Sequence, residues 1–324
     1  MSGSDEKITI KVGKDIVWVD YVKVICLFFV YFSHSAYYTQ TALPHVWSFY
    51  HPFYVDAFFV VSGYLFFRNP LPNGKLALSR LFTRLVVPSI IFSLVLFFPK
   101  ILIRSTSFSW LQLLETTIGG RGFWFTSSLA VAQGILIVLL LFRVNKLYIY
   151  LTTAFFAYLI SQYVLEPKDY LWFLNVGMAA TLLVVAGGVY RKFEKQIDDF
   201  FSGWRLFLII PLAALYVWLV YFNGNTRILG GAGILTISGI FCALFSTYVL
   251  IRICKYKTKE GSLVKFVARN SILFYFLSGA IPNTLAWALS RLYPSLGSPV
   301  TFYLTLLLSL PTAYLLSLFL SRFL

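Results

Sequence analysis

The chain has 324 residues, 59% of them hydrophobic and 12% charged, with a mean hydropathy of +0.79. A soluble domain carries about 25% charged residues, so this composition excludes an ordinary soluble globule and describes an integral membrane protein. The net charge of +15 does not indicate a nucleic-acid partner, because the basic residues sit in short connections between apolar runs, where orientation in a bilayer accounts for them.

Residues 1–15 are polar and lysine-containing, and are expected to be a cytoplasmic segment. The apolar run that follows continues through Tyr37-Tyr38 without a small-residue cleavage site, as a retained signal anchor does. Residues 16–324 are expected to form a single transmembrane domain. A span needs about 20 mostly apolar residues. Ten stretches qualify: 16–37, 48–67, 85–104, 124–142, 147–165, 171–190, 205–222, 229–252, 270–289 and 300–320. Runs of this length predict an all-α polytopic fold, since backbone groups in lipid must pair within their own segment. With the N-terminus inside, the inner connections hold 20 of the 27 lysines and arginines and the outer ones hold six. That bias predicts both termini in the cytoplasm. The cysteines Cys26, Cys242 and Cys254 show neither a disulfide framework nor metal-ligand spacing, and no metal is expected.

The first two apolar segments carry ionisable groups at bilayer depth, which is costly and usually functional. Lys23 and His34 are 11 residues apart, three helical turns plus about 20°, so they share a face. Lys23 falls about 16 Å nearer the cytoplasm. Asp56 opens the run Asp56-Ala-Phe-Phe-Val-Val-Ser62-Gly63-Tyr64 and is expected to enter the second span from outside, at a depth comparable with His34. A carboxylate meeting an imidazole fixes its tautomer and raises its basicity. Such an imidazole can deprotonate a hydroxyl or attack a thioester. Plainer roles exist for each residue. His34 can be a hydrogen-bonded packing residue, Lys23 can snorkel to the inner interface, and Asp20 can be its i,i+3 partner. Arg80 and Arg84, four apart before Pro88, either serve membrane orientation or grip the phosphates of a cytoplasmic ligand. A faint internal echo links Val60-Val-Ser-Gly63 before Arg68 with Val184-Val-Ala-Gly187 before Arg191, as small residues for close helix packing would.

These residues carry a resemblance. Lys23 and His34 with ten residues between them, the run from Asp56 to Tyr64, and Arg84-Leu-Val-Val-Pro88 together resemble membrane-bound acyltransferase family 3. That family includes bacterial O-acetyltransferases that modify polysaccharides, lipopolysaccharide, peptidoglycan and antibiotics. Phe123-Trp124-Phe125 and the stretch Ala268 to Tyr275 are weaker echoes. Family members usually have arginine where Lys23 stands, two arginines three apart before the proline, and a histidine where Ser278 lies.

The resemblance implies a membrane O-acyltransferase with acetyl-CoA as co-substrate. The donor's phosphates would lie near Arg84, Arg80 and the basic inner loops, and its pantetheine arm would rise toward Lys23 and His34. His34 would act as base or acyl carrier, with Asp56 orienting it. The acceptor would be a hydroxyl of an extracytoplasmic glycan or glycolipid, stacked on Tyr37, Tyr38, Trp47 or Trp124. The expected partners are therefore acyl-CoA, the glycan acceptor and membrane lipid, with no nucleic acid, and the expected site is the cell (cytoplasmic) membrane. A polysaccharide exporter without acyl transfer is the alternative, and a catalytically inactive interaction partner is a third possibility.

Overall fold

The computed structural model describes residues 16–43, 46, 49–104 (backbone alone for 102–104), 107–166, 170–223, 236–259 and 261–322. The expected polar segment 1–15, Trp47, Lys168 and Arg227 lie outside the described residues. Helices account for the regular structure among the described residues, and nine are long and apolar enough to cross a membrane. The protein is an all-helical, multi-pass membrane protein.

Helix α1 runs unbroken over Val17–Tyr38, and α2 covers Asp56–Phe66. Helix α3 (Gly74–Leu81), a π turn (Phe82–Val86) and α4 (Val87–Arg104) make one continuous rod. Then come α5 (Trp110–Thr116), α6 (Trp124–Leu141), α7 (Leu147–Leu159) and the long α8 (Leu174–Phe200). The chain ends with α9 (Ile209–Trp218), α10 (Ile237–Lys255), α11 (Ser262–Arg269), α12 (Ser271–Leu292) and α13 (Ser298–Leu320).

Three of the expected spans differ. The sixth, expected over 171–190, continues as α8 to Phe200. Residues 229–235 of the eighth lie outside the described residues. The second, expected over 48–67, is helical as an 11-residue apolar element beginning at Asp56, preceded by turns over 51–55. Pro52 explains the late start. It has no N–H to give to the carbonyl four residues back, and its ring clashes there. The third begins at Gly74 rather than near 85, because Asn73 caps a first turn, its side chain accepting from the Lys75 N–H at 2.9 Å.

The centre of the bundle is α8, which packs on α2, α6 and α7. The α2–α8 crossing is backbone on backbone. A Cβ built on Gly63 would lie 1.7 Å from the Val184 carbonyl oxygen, and one on Gly187 would lie 1.9 Å from that of Val60. The two halves of the internal echo therefore face each other, each glycine under the other's valine carbonyl. On its other side α1 packs against α12, α13, α10 and α11, with the Tyr31 hydroxyl donating to the Phe274 carbonyl at 2.9 Å.

Candidate active site

Because α1 is continuous, the direction of each side chain follows from its number. Val22 and Cys26 pack with Ala57, Val61 and Leu250, toward α2 and α10. Leu27 and Tyr31 pack with Leu277 and Phe302, toward α12 and α13. Lys23 and His34 point between these two directions, and both are half-buried. That side of α1 lies between α2 and α12, whose Phe58 and Tyr275 both pack on Phe125 (5.5 and 5.1 Å between centroids). Exposed Phe28 lies on the opposite side of α1.

The His34 ring stacks on Tyr38, one turn above it, at 5.9 Å and 15°. Beside it, the Ser33 hydroxyl shares a 2.9 Å hydrogen bond with buried Tyr50. Lys23 forms an ion pair with Asp20 at 3.7 Å, the i,i+3 arrangement weighed from the sequence.

Asp56 is 1% exposed, and neither carboxylate oxygen has a hydrogen-bond partner among the described residues. As the first residue of α2 it gains from the positive end of the helix dipole. It does not cap the helix, since the Ala57 and Phe58 amides already donate to the Phe53 and Val55 carbonyls. A buried carboxylate without partners is costly. The rest of its motif, in contrast, is fully used in packing. Gln133 of α6 donates to the Ser62 hydroxyl at 2.7 Å, Gly63 meets α8, and the Tyr64 hydroxyl donates to Glu194 at 2.6 Å.

The depth of Asp56 differs from expectation. Phe53 meets Phe29 at 5.5 Å, and Tyr64 meets Trp18 at 4.8 Å, so α2 runs antiparallel to α1. Asp56, between those contacts, falls level with the Val22–Cys26 turn, about 12 Å or two turns from His34 toward the N-terminal end of α1. No hydrogen bond or ion pair joins His34 to Asp56 among the described residues. The offset follows from the turns at 51–55, which carry the chain toward the N-terminal end of α1 before α2 starts.

The arginines lie on the rod of α3 and α4. Pro88 cannot donate to the Arg84 carbonyl and its ring displaces it, so the helix widens into the π turn that carries Arg84. The wider turn shifts Arg84 around the rod by a fraction of a turn and leaves it on the same side as Arg80. It is exposed, and Arg80 is half-buried. Arg80 is near enough to both Arg84 and Arg68 for their charges to act on it. Arg68 was not among the residues expected at the site from the sequence. It lies 12 residues before Arg80, past the end of α2, and only its place in an inner connection hinted at it.

Of the expected acceptor-side aromatics, Tyr37 is 72% exposed, Tyr38 covers His34, and Trp124 packs partly against the core. Ser278 donates to the Tyr275 carbonyl of its own helix at 2.7 Å.

Residues 16–320 match the model of a family described as an acyltransferase domain. No curated protein and no solved structure matches the chain.

Proposed function

Because the chain belongs to acyltransferase family 3, we propose that it moves an acetyl group from cytoplasmic acetyl-CoA to a hydroxyl of an extracytoplasmic glycan or glycolipid. Ten crossings of the cytoplasmic membrane, with both termini inside, accompany this reading. The α2 element is the short second crossing, and residues 16–324 act as one domain.

The donor enters from the inner end. Its phosphates meet Arg84 and Arg80, guanidinium groups suited to phosphate oxygens, and its pantetheine arm passes Lys23. The thioester then reaches the level between Asp56 and His34. Two routes use the imidazole. His34 takes the proton of the acceptor hydroxyl as it attacks the thioester carbonyl, with CoA leaving as the thiolate. Alternatively the free ring nitrogen takes the acetyl group and passes it on. Each route places positive charge on His34. When Asp56 ionises against that imidazolium, it opposes the charge at a distance. A unit charge about 12 Å away contributes about 1.4 kcal/mol at an effective dielectric of 20.

The observation behind this reading is the Asp56 carboxylate itself, buried and with neither oxygen hydrogen-bonded among the described residues, on the helix that packs against the one carrying His34 and Lys23. The test is transfer of label from [14C]acetyl-CoA to a membrane glycan fraction by the purified protein. His34→Ala should reduce transfer more than 100-fold, and Asp56→Asn about tenfold, as loss of a stabilising charge of that size predicts. Unlabelled glycan with every fraction, together with no acetyl-CoA binding, removes the enzymatic reading in favour of export. Full activity of His34→Ala removes the role of the imidazole.

A further inference from the structure

Behind α1 and α2, away from the donor path, the inner ends of four helices are tied by one charged network. Lys255 at the end of α10 donates to Glu194 at 2.5 Å and to Asp198 at 2.6 Å, both on α8. Arg252 pairs with Asp198 at 3.4 Å, and the Tyr190 hydroxyl donates to the same carboxylate at 3.1 Å. Glu194 also accepts the Tyr64 hydroxyl of α2 at 2.6 Å. Arg191 donates to the Tyr64 carbonyl at 3.1 Å and lies over its ring at 4.6 Å. The Lys255 ammonium lies 5.6 Å from the Trp18 ring of α1, which meets Tyr64 edge-on at 4.8 Å.

Membrane orientation alone accounts for cations at these helix ends, but not for two acidic residues one turn apart on α8, each holding partners from other helices. The pattern has a consequence for register. Tyr64 is eight residues from Asp56 on the same helix, about 12 Å along its axis. Trp18 starts the helix that carries Lys23 and His34. Lys255 therefore touches both helices of the site at their inner ends, directly or through Glu194.

We propose that Tyr64, Glu194, Asp198 and Lys255 are positioning residues that set the height of α2 against α1, and with it the spacing of Asp56 and His34 along the donor path. This rests on the acyl-transfer reading above. Sliding of α2 by a fraction of a turn would misplace Asp56 and change the width of the path, and misplacements near 1 Å can reduce turnover by up to about 100-fold.

The test uses full-length protein in nanodiscs, with Tyr64→Phe, Lys255→Met and the conservative Lys255→Arg. CoA release from acetyl-CoA with the glycan fraction gives kcat and KM. Modification of Asp56 by dicyclohexylcarbodiimide, read by mass spectrometry, reports its sealing independently of activity. Tyr64→Phe and Lys255→Met are expected to lower kcat roughly tenfold, with KM for acetyl-CoA within about twofold and labelling of Asp56 accelerated. Lys255→Arg is expected to restore most of kcat and the slow labelling of wild type. Unchanged kcat and unchanged labelling in both disrupting variants overturn the proposal, as does a lowered Tm with kcat intact. If wild-type protein releases no CoA, the acyl-transfer reading fails, and the labelling arm still decides whether the network seats α2.

Discussion

A single methyl group at position 63 or 187 has nowhere to go. The Cβ positions at 1.7 and 1.9 Å from backbone oxygens are far inside van der Waals contact. Backbone cannot yield as a flexible side chain does, so the helices must part. Gly63→Ala and Gly187→Ala should each destabilise the protein by about 1–3 kcal/mol, as overpacking does, seen as a lowered Tm in detergent by fluorescence-detected size exclusion. Ser62→Ala loses one hydrogen bond, to Gln133, and should lower Tm far less. Asp56 differs from these neighbours. The sequence set its carboxylate apart, but did not show that Ser62, Gly63 and Tyr64 would be spent on packing against other helices. Period and composition could not show it, because it lies in which helix faces which.

At the scale of the element, the rod of α3 and α4 shows how one proline shapes a site. Pro88 opens the ladder at Arg84, and the π turn follows. Pro88→Ala should let the helix close into regular turns and swing Arg84 by part of a turn. Isothermal titration should then show acetyl-CoA binding weakened about tenfold, in keeping with loss of a charged hydrogen bond, while kcat at saturation stays near wild type. Much of the element pattern was legible. The first span, expected over 16–37, is the helix Val17–Tyr38, because an unbroken apolar run of that length has one use. The start at Gly74 was not legible, since Gly74–Leu81 is amphipathic rather than apolar. Nor was the depth of Asp56, which depends on the Phe29–Phe53 and Trp18–Tyr64 contacts between helices.

At the scale of the whole molecule, cations gather at two places with opposite fates. Around Glu194 and Asp198 they are neutralised in pairs. The charges of Arg68 and Arg84 both act on Arg80 instead, and on the proposed donor path a phosphate group would relieve that repulsion. Arg68→Ala should weaken acetyl-CoA binding about fivefold and flatten its dependence on ionic strength, since exposed charges are the ones salt screens. Titrations at 50 and 300 mM salt would check this. The brevity of α2 also bears on how the protein is made. Eleven helical residues reach about 16 Å, half of a hydrocarbon core near 30 Å, and the first of them is an aspartate. A helix of that length is too short to cross the hydrocarbon core by itself. Its docking surface, Val184 to Gly187, is synthesised some 120 residues later. The carboxylate at the heart of the proposed site therefore enters the membrane as cargo of α8, and assembly of the bundle, rather than hydropathy, decides when it is buried.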